Sequence, residues 1–281
     1  MPSKINLCFP DGRRKALTLS YDDGVEQDIK LVELMSKYAV KGTFNLNGNG
    51  IAPDGTAYPA GTIHRRMSES QCLSTYDPSL TETACHGYTH PFLEQLPTPE
   101  MMRQIIEDRV ALENLFGKII RGMAYPFGTY SDQVIQVMKA AGIVYARTVR
   151  STKKFNLPAD WLQWHPTCHH NDPQLSELTQ AFLDCTPDGD GILFYLWGHS
   201  YEFEGSDNWH VIDTFLRQVS RRKDIWYATN IEIYDYVQAY RRLIFSTDCT
   251  RVYNPSAADV WLCYDRDCKI CAVPAGESAV L

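Results

Sequence analysis

The 281-residue chain contains no apolar run of membrane-spanning length. Its first twenty residues, MPSKINLCFPDGRRKALTLS, lack the continuous apolar segment of a secretory leader. These two absences predict a cytoplasmic protein that is not membrane-bound. Basic charge is also scarce: 27 Lys and Arg stand against 34 Asp and Glu, for a net charge of −7. A broad phosphate-binding face is thereby excluded, and nucleic acid is not expected as a partner. No internal repeat and no low-complexity linker interrupt the chain. Cysteines are present, nine of them, but odd in number and irregularly spaced, which predicts reduced thiols rather than a disulfide framework. At 44% hydrophobic and 22% charged residues, the composition suits an ordinary globular core in one large domain or two small ones.

What is present is an alternation of strand and helix. Ala16 to Tyr21 has strand character, and Glu26 to Tyr38 has helical spacing through Ile29, Val32, Leu34 and Met35. Gly42 to Leu46 resumes a strand. Residues 48–81, rich in Gly, Pro, Ser and Thr, read as an insertion with a turn at Pro53-Asp54-Gly55. After Thr83 to Cys85, Pro97-Thr98-Pro99-Glu100 predicts a helix start, with Thr98 as N-cap and Pro99 at the first helical position. That helix runs to Phe116 and stops at Gly117. Further pairs follow: strand Gly122 to Tyr125 with helix Asp132 to Ala141, then strand Val144 to Val149 with helix Leu175 to Leu183. Strand Ile192 to Trp197, helix Val211 to Val219, strand Ile225 to Ala228 and helix Ile231 to Phe245 complete the series. Such alternation predicts an α/β fold with parallel strands, either a barrel or a doubly wound sheet, and both gather ligands at strand C-termini. Beyond Phe245 the texture changes. Short strands at 251–253, 260–264 and 270–273, with turns at Asn254-Pro255 and Asp265-Arg266-Asp267, predict a small β appendage at 246–281 beside a main domain at 1–245.

Three fragments fall just after predicted strands: SYDDG at 20–24, CHGYTHP at 85–91 and WGHSYEF at 197–203. Adjacent Asp22 and Asp23 cannot both stay ionised cheaply unless a cation neutralises one. A divalent metal, with zinc the expected ion, would resolve the conflict through His86, His90 and one of the two aspartates and leave coordination positions open. The other aspartate is then free to act as general base, and a late histidine such as His199 as general acid. Taken singly, Asp23 reads equally well as a helix cap, and each histidine as a surface residue. Aromatic residues Tyr88, Tyr125, Phe127, Trp197, Tyr201 and Phe203 flank the site; most belong to the core, and a few are candidates for stacking on a sugar. Glu202 and Glu204 read as a glycosidase-type carboxylate pair only weakly. His165, His169 and His170 form a second cluster, read as a loop lining the same cleft. The C-x-x-C at Cys268 and Cys271, with Cys263, is a weak zinc signal.

These fragments resemble the polysaccharide deacetylase family with the NodB homology domain, carbohydrate esterase family 4. SYDDG is similar to its first motif, which implies Asp22 as catalytic base and Asp23 as metal ligand. CHGYTHP is similar to the second motif, with Gly87 in place of Ser or Thr, and implies His86 and His90 as metal ligands. AYPFG at 124–128 is similar to the third, implying that the Phe127 N–H stabilises an oxyanion. WGHS, preceded by Leu196, is similar to the fifth, implying His199 as general acid. The resemblance implies a distorted (β/α)7 barrel and removal of an acetyl group, N-acetyl ahead of O-acetyl, from an acetylated sugar or oligosaccharide, with Tyr125, Trp197 and Tyr201 as substrate contacts. One departure stands out. The arginine that tethers the catalytic aspartate in the family is Ala124 here, and its acidic partner is not evident around Asp160-Trp161. Arg147, at the end of the next strand, is the candidate substitute. Alternatives are hydrolysis of another C–N amide, cyclic amides included, a metal-dependent glycosyltransferase, a non-haem iron oxygenase, or an inactive carbohydrate-binding relic.

Overall fold

In a computed structural model the structure describes residues 4–265 and 267–281. The turn expected at Asp265-Arg266-Asp267 includes Arg266, which lies outside the described residues. Strand β1 (Ile5–Cys8) precedes the first barrel strand, β2 (Lys15–Asp22), which is buried along its whole length. Side chains alternate across a strand. Leu17, Leu19 and Tyr21 therefore face the helices and join a core with Leu31 and Met35 of helix α1 (Gln27–Tyr38). The other parity, Thr18, Ser20 and Asp22, faces the polar interior: Thr18 Oγ1 donates to Asn230 and Ser20 Oγ accepts from Asn45. Asp22 enters the interior because it shares that parity, and Asp23 leaves the strand on a positive φ of 85°.

The next strands are β3 (Gly42–Leu46), β4 (Thr81–Cys85), β5 (Gly122–Ala124), β6 (Tyr145–Arg147), β7 (Cys168–His169) and β8 (Ile192–Gly198). With β2 they make a parallel sheet in the order β6-β5-β4-β3-β2-β8-β7. The segment leading into β7 closes the ring: Trp164 N–H donates to Ala146 O at 2.9 Å and Thr148 N–H to Trp164 O at 3.0 Å. The result is the seven-membered distorted barrel the motifs imply, with an extra strand, β9 (Ile225–Tyr227), paired to residues 15–17 of β2. Its helices are α2 (Glu69–Thr75), α3 (Thr98–Phe116), α4 (Asp132–Ala140), α5 (Leu175–Asp184), α6 (Tyr201–Gly205), α7 (His210–Val219) and α8 (Asn230–Arg241).

The last strands, β10 (Ile244–Phe245), β11 (Arg251–Tyr253), β12 (Val260–Tyr264), β13 (Lys269–Val273) and β14 (Ser278–Val280), form two antiparallel sheets, β1-β12-β13 and β10-β11-β14. One of them takes in the N-terminal strand. Among the described residues no helix is long and apolar enough to cross a membrane.

Several expectations are corrected. Thr98 is the first residue of α3 and Pro97 the N-cap, because Thr98 Oγ1 accepts from Gln133 at 2.6 Å instead of capping its own helix. The helix expected to reach Phe245 ends at Arg241, since Ile244 and Phe245 pair with β11. The insertion carries the unexpected α2, which opens on a Ser68/Gln71 capping box. Cys263 and Cys268 form a disulfide across the β12–β13 hairpin, so these two are neither free thiols nor available for zinc. Glu202 and Glu204 lie on helix α6, not on a strand.

Candidate active site

Asp22, at the C-terminal end of β2, is 2% exposed, yet its carboxylate is satisfied. Asn45, its register partner on β3, donates Nδ2 to Oδ1 at 2.8 Å. The Arg147 guanidinium, fully buried at the end of β6, contacts Oδ2. Burial works against the Asp22 charge, but Arg147 first, then His86 and His199, hold the carboxyl below its ordinary range. Arg147 is itself covered by the Trp197 ring, 4.4 Å from its Cζ. The position left by Ala124 on β5 is therefore filled from one strand further round the barrel.

Asp23 makes a different set of contacts. His64 Nε2 is 3.3 Å from its Oδ2 and Arg66 Nη2 3.4 Å from its Oδ1, both supplied by the insertion. Burial raises its pKa, and the hydrogen bond from His64, with His86 and Arg66 behind it, lowers it further, to a net downward shift. Asp23 does not cap α1, whose N-cap is Glu26.

The β4–α3 loop presents the two histidines. Asp108 of α3 lies beneath it and accepts from the N–H of His86 at 2.9 Å and of Gly48 at 2.6 Å. The N–H groups of Gly48, His86 and Gly87, with the Cys85 side chain, only partly offset the burial that pushes its carboxyl up to about 7. His86 places Nδ1 2.9 Å from Ala124 O, so Nδ1 carries the proton and Nε2 keeps its lone pair. His90 turns back on a positive φ of 56° and brings its Nε2 to 3.2 Å from that of His86. Burial, then the neighbouring His86, lowers the His90 pKa to about 4. One ligand atom each from Asp23, His86 and His90 lies within 4.8 Å of the others. Two neutral imidazoles and one carboxylate at this spacing fit a zinc-class divalent cation with open positions.

His199 follows β8 and sets Nε2 3.8 Å from Asp22 Oδ2, with Nδ1 3.0 Å from Glu202 Oε1. Burial disfavours its charged form, but the Glu202 hydrogen bond, then Asp22 and Asp23, raise its pKa overall. A cavity of about 590 Å³ is lined by Asp22, Asp23, His86, His90, Tyr125, Phe127, Trp197, His199 and Tyr201, together with Gly128 and Val149. The expected base, acid, metal ligands and substrate contacts thus border one space. Phe127 sits on a left-handed turn at φ 57°, half exposed, stacked on Phe92 and edge-on to His90. Tyr125 is buried and its hydroxyl donates to Leu162 O at 2.7 Å, so it offers the cavity only ring surface.

Other expectations part company. His165 lies apart, with Nδ1 2.6 Å from Thr148 Oγ1, while His169 and His170 pack behind His199 against Glu202. Glu204 pairs with Arg65 away from the cavity. Asp160 caps the turn at Trp161–Gln163 and does not reach Arg147. Asn45, His64, Arg66 and Asp108 are site residues that the motifs did not point to, Asn45 alone carrying a signal as a polar residue amid a buried strand; Glu202, read with Glu204 as a carboxylate pair, instead holds His199.

Residues 10–146 match the sequence profile of the family described as polysaccharide deacetylase. The deacetylase match spans β2 to β6 and so includes Asp22, Asp23, His86, His90 and Phe127. No curated protein matches the chain. Among solved structures, the chain is similar to a Mycobacterium smegmatis protein assigned as a polysaccharide deacetylase, at 17% identity and TM-score 0.61, over 86% of this chain and 96% of that one. It is also similar to a family 4 carbohydrate esterase from Streptomyces lividans solved with acetate, at 14% identity and TM-score 0.50, over 77% and 93%. The peptidoglycan deacetylase PdaC from Bacillus subtilis matches at 16% identity and TM-score 0.50, over 81% and 93%. At these identities the structures establish the shared deacetylase fold.

Proposed function

We propose that the protein is a metal-dependent hydrolase that removes an acetyl group from an acetylated carbohydrate, N-acetyl ahead of O-acetyl. The observation that carries the reading is the division of labour between adjacent carboxylates: Asp23 completes a trio with His86 and His90, and the Asp22 carboxylate, 3.8 Å from His86 Nε2, is engaged on both oxygens by Asn45 and Arg147.

Asp23, His86 and His90 would hold the cation, zinc being the expected ion. Bound there, it supplies Lewis acidity toward the acetyl carbonyl and lowers the pKa of water from 15.7 toward about 7. Asp22, kept ionised by Arg147, takes the proton from the attacking water. The Phe127 N–H, on its left-handed turn, donates to the developing oxyanion, a contribution of about 3 kcal/mol for one such donor. His199, with its pKa raised and Nδ1 engaged by Glu202, protonates the departing nitrogen or oxygen from Nε2. Trp197 and Tyr201, with the ring surface of Tyr125, contact the sugar.

The test is Asp22→Asn beside His90→Ala, with acetate release and metal content measured on both. Asp22→Asn keeps its metal and loses about 10² to 10⁴ in rate, the usual range for a proton-transfer group. His90→Ala loses metal as well. Full acetate release by either variant overturns the assignment.

A further inference from the structure

His169, His170 and Glu202 touch none of the groups that attack the acetyl carbon, yet they converge on the residue beside the leaving group. The Glu202 carboxylate divides its oxygens. Oε1 lies 3.0 Å from His199 Nδ1. Oε2 meets three nitrogens: His170 Nε2 at 3.0 Å, Asn171 Nδ2 at 3.0 Å and His169 Nε2 at 3.3 Å.

Protons can be assigned within this group. The Asn171 backbone N–H donates to His169 Nδ1 at 3.1 Å, so Nδ1 is an acceptor and the neutral ring carries its proton on Nε2, toward Glu202. Burial, then the neighbouring His170, lowers the His169 pKa to about 4, which keeps the ring neutral at pH 7. His170 is 1% exposed and stacked between Tyr21 and Phe203, with centroids at 5.7 and 4.1 Å. A Cβ at Gly198 would collide with its ring, so the glycine of WGHS makes room for His170. The trio is compact enough to enclose a cation. However, the Asn171 N–H fixes His169 with a hydrogen, not a lone pair, facing Glu202, and Asn171 Nδ2 donates to the same oxygen, while His170 Nε2 lies 3.0 Å from it without an aligned hydrogen bond; the surroundings are those of an anion rather than of a cation.

We propose that His169 and His170 are positioning residues acting through Glu202. With the Asn171 amide they fix Oε2, so that Oε1 holds the Nδ1–H of His199 and turns its Nε2 to the cavity. A carboxylate oxygen held by the Asn171 amide and packed against two imidazole edges stays ionised and is kept from rotating away from His199. The inference rests on the reading of His199 as the acid.

The experiment is a leaving-group series of simple acetate esters, from 4-nitrophenyl acetate to ethyl acetate, on metal-loaded protein. A general acid matters for the poor leaving group and little for the good one, whereas general damage lowers both alike. Both His199→Ala and Glu202→Gln raise the aryl-to-alkyl rate ratio at least tenfold. His170→Phe, which keeps the stack, and His169→Ala raise it in the same direction by a smaller factor, and His169→Gln, with an N–H to offer, restores it. If His199→Ala raises the ratio while His169→Ala and His170→Phe leave it at the wild-type value, the inference fails and the acid reading stands. If His199→Ala itself leaves it unchanged, the acid reading fails and takes the inference with it. Independently of turnover, ¹⁵N-histidine spectra of the metal-free protein show His169 as the Nε2–H tautomer. An Nδ1–H tautomer, or zinc binding by these rings in His90→Ala protein, overturns the proposal in favour of a second cation site.

Discussion

Two like charges side by side at Asp22 and Asp23 are tolerable because the backbone separates their partners. Asp22 ends a regular strand and points inward to Arg147, and Asp23 turns out at φ 85° toward His64 and the imidazole pair. Arg147→Met would leave a buried carboxylate without its cation, a change that costs about 3–5 kcal/mol in comparable sites. We expect a lower melting temperature, a rise in the Asp22 pKa, and at least a tenfold loss of acetate release with metal content unchanged. Metal retention with normal kcat would show that Asn45 alone holds the base. A second expectation concerns pH. His90 must be neutral to bind a cation, and its metal-free pKa is about 4. Zinc affinity, measured by competition with a chelator, should therefore hold from neutral pH down to about 5 and fall steeply near and below 4, where the ring takes a proton.

Helix α1 carries a buried carboxylate of its own near the site. Asp28 accepts from Ser200 Oγ at 2.5 Å, next to His199, and from Tyr76 OH at 2.7 Å. Burial nevertheless pushes its carboxyl up to about 7. The folded state then holds a proton between pH 4 and 7 that the unfolded chain releases near pH 3.9. This contribution to stability is fully present below about pH 4 and declines as pH rises to 7. Asp28→Asn keeps two polar partners and removes that dependence. Denaturant midpoints at pH 5 and 7 should lie closer together in the variant, and an unchanged gap would place the titration elsewhere. On β8, Gly198→Ala should displace the His170 ring and lower both stability and activity. Some element boundaries were legible from local devices, although the Ser68/Gln71 capping box of α2 went unread. The αL stop at Gly117 and the Ser131 cap of α4 needed no tertiary partner. Thr98 was misjudged because a hydrogen bond from Gln133, on another helix, decided its role.

Across the whole molecule, one of the two antiparallel sheets takes in β1, whose partner strand β12 lies about 250 residues later. Tyr236 of α8 ties the same region: its hydroxyl accepts from Trp261 N–H at 2.9 Å and donates to Cys8 O at 2.7 Å. Removing residues 246–281 uncovers Ala239, Leu243 and the β1 edge. The shortened protein should melt at least 5 °C lower, a loss of about 2 kcal/mol or more for a chain of this size, or precipitate. A melting temperature equal to that of the full chain would mean that the appendage contributes nothing to the barrel.

The sequence by itself determined the strand and helix alternation, the inward parity of Asp22 and the short-range His86/His90 pair, because these depend on periodicity and loop chemistry within a few residues. It also held the motif order that identifies the family. Only the tertiary structure decided that Arg147 meets Asp22 across the barrel, that His64 and Arg66 of the insertion reach Asp23, and that His169 and His170 gather on Glu202. Those contacts join residues 32 to 125 positions apart. Their existence depends on ring closure through the Trp164 segment, which no local pattern encodes.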